Sequence, residues 1–401
     1  MTLMCLSGSA IMSLGFILAS LATKVDATYN CIHCLLLMFC SDQLWHLFLT
    51  QAILVGIGSS MLYYPVISLT PVFFDRHRGF AMGIAMAGSG AGGLVFAPVT
   101  QSLIVGYGAP VTLRILGVWN FVICVAISFV IRPHPAYKPI RPSLALAKRG
   151  AFIVQVRTAP RVHLNSCSPA PPANDPHPQL LASFFQAAGN IIPLYYLTTY
   201  STYVLGFSPT TASMLLAVNN GVNSASRVAM GFIADYAGRQ NTLVGCVSSD
   251  QNYNYIVPPL TLNRLPRQVV FSAISAITLW IHASRERFLA FIILYGMASG
   301  GYSALLPTTI AEIYGKEHYS SANAAIYFVR GLGAVMGAPI AGALLGAHPG
   351  EGKLLQPKAE LMKSFDKVAG YDAALLMTAG VCVVAVRWFD ARAKGKWKWI
   401  A

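Results

Sequence analysis

The chain has 401 residues, of which 55% are hydrophobic and only 10% charged, and it carries a net charge of +14. Soluble domains carry roughly 25% charged residues, so this composition excludes a water-soluble globule. The positive charge does not point to nucleic acid either. The bases sit in loops between apolar runs and in the C-terminal tail, without the basic–aromatic interleaving of a nucleic-acid surface.

The apolar residues fall in runs of about 20, long enough to cross a hydrocarbon core of ~30 Å. About ten such runs predict an all-α membrane protein built from transmembrane helices. Residues 1–23 form the first span, with Gly8 and Gly15 offering close approach to a neighbour. The run lacks a basic leader and is too long for a signal-peptide core. Residues 24–44 are partly apolar and too short to span. Their Cys31-x-x-Cys34 pair with His33 has no second pair, so no metal site is expected. The eight cysteines are mostly scattered in apolar runs and read as small buried hydrophobes rather than disulfides.

Residues 46–73 span again and end in a tight basic turn, Asp75-Arg76-His77-Arg78. Lys and Arg are retained on the cytoplasmic side, which orients this joint. Helices over 80–106 and 112–131 follow. Within the first of these, Gly83, Ala87 and Ala91 repeat at i, i+4 and predict a face without bulk, suited to close helix packing. Residues 132–179 hold Arg132, Lys138, Arg141, Lys148, Arg149, Arg157 and Arg161 among many prolines, and read as a cytoplasmic linker. It divides an N-terminal bundle, 1–131, from a C-terminal bundle with a basic tail, 180–401.

In the second half, spans over 180–205 and 209–234 are joined by Gly206–Ser208, and Asp235–Asn241 is again a cytoplasmic loop. Residues 242–247 with 269–283 make one span if the polar piece between them loops out. Spans over 287–313 and 319–345 come next, then a mixed-charge loop over 346–371 and a last helix over 372–389. The tail RAKGKWKWIA is basic with two tryptophans, as expected of a cytoplasmic end at the membrane interface. An even number of spans places both termini in the cytoplasm.

Arg227 is the foremost candidate for function. Arg inside a span costs ~2.5–3.5 kcal/mol even on the lenient insertion scale, so it faces a cavity or a partner. Its planar fork suits a carboxylate. Asn223, and Asn219 with Asn220 about one turn further back, either line the same cavity or hydrogen-bond between helices. Arg330 is a second intramembrane arginine, set among Gly331, Gly333 and Gly337, a pattern of tight packing. Tyr63 and Tyr64 before Pro65, and Tyr195 and Tyr196 after Pro193, are candidate cavity hydroxyls, with plain packing as the alternative. Asp235 lies near a helix end, where it can pair with Arg239 or with a neighbouring helix terminus and latch two helices together. The alternative there is a solvated turn. No enzyme is apparent: residues 88–92 read GSGAG rather than GxSxG, and the Gly-rich run lacks the Lys-Ser/Thr ending of a phosphate loop.

Two stretches carry a resemblance. Phe73, Phe74, Arg76, His77, Arg78, Ala81, Gly83, Ala85, Ala87, Gly88 and Gly92 resemble the signature of the monocarboxylate transporter family, in its fungal branch, within the major facilitator superfamily. The departures are mild: His77 replaces a base and Phe80 an aliphatic. Gly231-Phe-Ile-Ala-Asp235-Tyr-Ala-Gly238-Arg239 resembles the loop motif of the superfamily. The resemblance implies two pseudo-symmetric helix bundles around a central cavity. It also implies twelve helices, so the first two are expected to be missing and bundle 1–131 to be incomplete.

By the same resemblance the chain is expected to be a secondary transporter of small organic anions such as monocarboxylates, with no cofactor, in the plasma membrane. Its partners would be the anion, with or without a proton, and the lipid bilayer. Arg227 would pair with the substrate carboxylate, and Asn223 stands where several carriers have a proton-accepting aspartate. The implied substrate-binding set is Arg227, Asn223, Asn219, Tyr63 and Tyr195. The implied conformational latch is Asp75, Arg76, Arg78, Asp235 and Arg239. The other class of reading is a non-transporting membrane protein, receptor-like or a pseudogene product.

Two polar segments interrupt the pattern. Removing Val25–Gln43 leaves a normal short loop, and removing Val247–Gln268 restores one span of normal length. Both begin with Val and end with Gln, whose codons can supply the GT and AG boundaries of an intron, so both are expected to be translated introns.

Overall fold

The computed structural model describes residues 2–22, 48–74, 77–130, 177–237, 275–281, 283–346 and 358–393. The two polar segments, the Cys31–Cys34 pair, the linker up to residue 176 and the tail beyond residue 393 lie outside the described residues, as do Asp75, Arg76 and Arg239. Among the described residues every regular element is helical: α1 (Thr2–Ala22), α2 (Val55–Phe73), α3 (Arg78–Val130), α4 (His177–Tyr203), α5 (Pro209–Ala237), α6 (Arg285–Leu345) and α7 (Lys358–Ala393). A π-helical stretch, Phe48–Leu54, leads into α2, and another covers Ala276–Trp280.

Seven stretches of the described residues are long and apolar enough to cross a membrane: Thr2–Leu21, Leu49–Thr70, Arg78–Val130, Gln179–Tyr203, Arg285–Ile313, Ala322–Leu345 and Glu360–Val386. Run straight, the 53 residues of α3 would be about 80 Å long, more than twice the ~30 Å of a hydrocarbon core. The helix breaks at Gly108, whose φ of 79° and ψ of 164° no other residue adopts cheaply. The break falls between the two spans expected at 80–106 and 112–131. α6 also contains two passes. The guanidinium carbon of Arg330 lies 5.5 Å from the ring centre of Tyr302, whereas a straight helix would hold residues 28 apart at ~42 Å. The chain therefore reverses between Arg285–Ile313 and Ala322–Leu345.

One expectation fails. The last helix starts at Lys358 rather than 372. Lys358, Glu360, Lys363, Asp366 and Lys367 read as loop because they are charged, but they form the leading turns of the same helix. Hydropathy marks where a helix meets lipid, not where its hydrogen bonding begins.

Packing divides the chain into two units, Met1–Phe73 with Pro98–Pro139, and Phe74–Ala97 with Ile140–Ala401. In the first, α1 and α2 form an antiparallel hairpin. A β-carbon on Gly8 would lie 2.8 Å from that of Met61, and one on Gly15 would lie 2.8 Å from the Thr50 carbonyl. Both predicted close approaches are present. The end of α3 joins the hairpin through Gly117, which faces Ser13, Phe16 and Ile17, and through Arg114, whose Nε donates to Ser20 Oγ at 3.1 Å.

In the second unit α4 packs against both passes of α6 and against α7. Its core is aromatic: Tyr200, Trp280, Phe288, Phe291, Tyr295 and Phe365 are almost wholly buried. Tyr200 meets Trp280 and Phe365 edge-on, and Trp280 stacks on Phe291 at 5.3 Å. Edge-to-face and offset pairs of this kind add to the stabilisation from burial alone.

Candidate functional site

The site is built along α5. Its polar residues fall on two faces, and each face is covered by a different helix. Asn220, Ser224, Arg227, Gly231 and Asp235 recur at steps of three and four and lie against the start of α3. Asn219, Asn223 and Ser226 lie one residue round and meet the first pass of α6. This explains why α5 is absent from the apolar spans although its 29 residues are long enough. Its polar groups face protein, so it needs no continuous apolar surface.

The α3 face is a close crossing. A β-carbon on Gly79 would lie 2.6 Å from the Gly231 carbonyl, and one on Gly83 would lie 2.6 Å from that of Arg227. Further along, Gly90 meets Asn220 and Ser224. The bare stripe therefore runs Gly79, Gly83, Ala87, Gly90 rather than through Ala91, which is exposed. The reason is pitch: steps of four overrun a 3.6-residue turn by about 40° each, so the contact returns by a step of three. Gly88 and Gly92 of the family signature have open space beside them.

Arg227 points into this crossing. Its Nη1 donates to the Met86 carbonyl at 2.5 Å and to the Ser89 hydroxyl. Ser224 Oγ, one turn away, donates to the Ala87 carbonyl at 2.8 Å. Nothing in the sequence marks Ser89 or the Met86 carbonyl as partners of Arg227, because they sit 138 and 141 residues away.

At the end of α5, Asp235 accepts from the backbone N–H of Gly79 at 2.9 Å and of Phe80 at 2.8 Å. These are among the donors that an α-helix start leaves without internal partners. A carboxylate at a helix N-terminus is also favoured by the helix dipole. Of the two partners expected for Asp235, the helix terminus is the one the described residues show. Arg78, at the same start, donates from Nε to the Phe74 carbonyl at 2.9 Å.

The α6 face is quieter. Asn223 is buried and donates to Ser299 Oγ at 2.7 Å. Asn219 is 1% exposed; its Oδ1 has no hydrogen-bond partner among the described residues and would lie 3.0 Å from a β-carbon on Gly296. The two asparagines and Arg227 thus leave α5 in different directions. Tyr195 is exposed on α4, whereas its neighbour Tyr196 donates to the Ala338 carbonyl at 3.1 Å. Tyr63 is exposed on α2, in the first unit. Arg330 donates to Gln186 Oε1 at 2.6 Å and lies over the Tyr302 ring, while Gly333 and Gly337 press on the backbone of Phe184 and Ala188. No cluster of metal-ligating side chains occurs among the described residues.

Helices this long and apolar, with bare crossings between them, define a polytopic membrane protein. The sequence pattern of the Major Facilitator Superfamily matches residues 27–249 and 268–398, and the chain belongs to that family. It is thus an integral membrane protein of a transporter family, not an enzyme. The match begins within Val25–Gln43 and skips 250–267, which lies inside Val247–Gln268.

Among its relatives, an MFS-type transporter of Gibberella moniliformis is 28% identical over 341 residues, 85% of this chain and 72% of that protein. Monocarboxylate transporter 12-B of Danio rerio is 24% identical over 359 residues, 84% of this chain and 66% of that protein. The chain thus spans about two thirds of the length of such relatives. Among solved structures, the fucose:proton symporter FucP of E. coli superposes with a TM-score of 0.56 at 12% identity, over 96% of this chain and 83% of that one. That likeness is one of fold.

Proposed function

We propose that the chain is a secondary transporter of small organic anions, monocarboxylates foremost, working by alternating access. In this reading the helices of 1–131 and 180–401 form two bundles, joined by linker 132–179, that open in turn to either side of the membrane. Relatives named as monocarboxylate transporters support the substrate class. The observation that carries the reading is the placement of Arg227. It is a permanently charged five-donor fork in the middle of a helix, held through Nη1 by the Met86 carbonyl and Ser89 hydroxyl of α3. A cation at such a joint pairs with an anion that arrives from water, and the pairing biases how the two helices sit.

Asn219, Asn223, Tyr63 and Tyr195 complete the proposed substrate set. Asp235 with Arg78 forms the part of the latch within the described residues, Asp75, Arg76 and Arg239 the remainder. Both termini face the cytoplasm and the membrane is the plasma membrane.

The test is uptake of labelled L-lactate and acetate into vesicles carrying the purified chain. The expected result is saturable uptake that Arg227→Ala lowers by at least tenfold and Arg227→Lys only partly restores. Uptake unaffected by either substitution removes Arg227 from the site. No uptake by a folded wild type favours the non-transporting alternative.

A further inference from the structure

Asp372 is an acidic group inside a membrane span. It lies close to the midpoint of the span Glu360–Val386 and is 0% exposed. Neither carboxyl oxygen has a hydrogen-bond donor among the described residues. On α4 the group facing it is Gly189, where a β-carbon would lie 3.2 Å from Asp372 Oδ1. The titratable side chains near enough to sense its charge are Tyr295, on the first pass of α6, and Tyr371, beside it on α7. Tyrosines are neutral at ordinary pH, so no cation of the described residues balances an ionised Asp372.

Burying an isolated carboxylate in such surroundings costs far more than burying the acid. The turn of α4 that Asp372 packs against is also irregular. Pro193 has no N–H to give the residue four before it, so the carbonyl of Gly189 is left without its helical donor. That carbonyl belongs to the residue against which Asp372 packs, and it accepts from an O–H but not from a carboxylate. The same proline makes this turn of α4 the one that bends most easily.

We infer that Asp372 is a proton-binding site. While α4 packs on α7 as seen, the side chain is a neutral acid packed against Gly189. When α4 bends away at Gly189–Pro193 and water reaches the group, the O–H bond breaks. The electron pair stays on the carboxylate and the proton passes to water. Repacking requires a proton to be taken up again. Combined with the transport reading, on which this part rests, the inference makes Asp372 the group that couples protons to anion movement, in a chain where Asn223 cannot ionise.

Two measurements on the purified full chain test it. Infrared difference spectra between wild type and the isosteric Asp372→Asn, in H2O and D2O at neutral pH, are expected to show a carboxylic-acid C=O band in wild type alone, shifted by deuterium. Absence of that band overturns the proton site. In vesicles, an inward proton gradient is expected to speed L-lactate uptake several-fold in wild type. Asp372→Asn is expected to keep lactate exchange at wild-type level without the acceleration. Acceleration that survives in Asp372→Asn overturns the coupling role. A wild type that carries no lactate defeats the transport reading alone, because the infrared band still decides whether Asp372 holds the proton.

Discussion

Asp235 shows how a single side chain ties two helices that are distant in sequence. Its two carboxylate oxygens accept from backbone donors in the first turn of α3, as a capping side chain does. Loss of an N-cap costs ~1 kcal/mol, and the charge adds up to about 1 kcal/mol through the helix dipole. Asp235→Ala is therefore expected to lower the melting temperature in detergent. Asp235→Asn, which keeps a neutral acceptor, is expected to lower it less. Equal melting of all three proteins would remove Asp235 as a tie between α5 and α3. The sequence already shows an acid near a helix end. It does not show which helix start receives it, because the recipient lies 155 and 156 residues earlier.

The same limit applies to whole elements. The existence of α1, α2, α4 and the two passes of α6 is legible, since each needs only a long apolar run. The bare crossing on α3 is half legible: Gly83 and Ala87 are on it, while helical pitch moves the next contact to Gly90. The two-sided character of α5 is hidden, because spacing reveals that two faces exist and not which neighbour covers each. Asp372 is missed for a related reason. Read as the edge of a helix it looks like a boundary residue, and only the helix start at Lys358 places it mid-span. Element packing makes its own prediction in the second pass of α6. A side chain at Gly337 drives into the backbone of Ala188, whereas Gly331 has open space around it. Overpacking of this kind costs ~1–3 kcal/mol. Gly337→Val is thus expected to reduce thermal stability in detergent clearly, and Gly331→Val by much less. Similar losses in both would mean that α4 and α6 do not pack through Gly337.

At the scale of the molecule, the surface is that of a membrane protein. Val95, Val105, Trp119, Val122 and Phe129 along α3 are all more than half exposed. In water they would form the kind of apolar patch that drives aggregation, whereas lipid solvates them at no cost. The same solvent makes a polar insertion within a span expensive, since every backbone group in the hydrocarbon needs an internal partner. Residues 242–247 and 269–283 make one span only when Val247–Gln268 is set aside. The family pattern independently skips 250–267 and resumes at 268, the last residue of that segment. It runs unbroken through residues 27–43, so it sets aside the second polar segment and not the first. The chain lacking 247–268 is therefore expected to express at equal or higher yield and to melt at the same temperature or above. The mature transcript is expected to lack the corresponding bases. A deletion variant that aggregates, together with a transcript that retains the segment, would mean that the polar piece belongs to the working protein. It would then have to loop into water from within a membrane helix, and α5 would be followed by a span made of two separated parts.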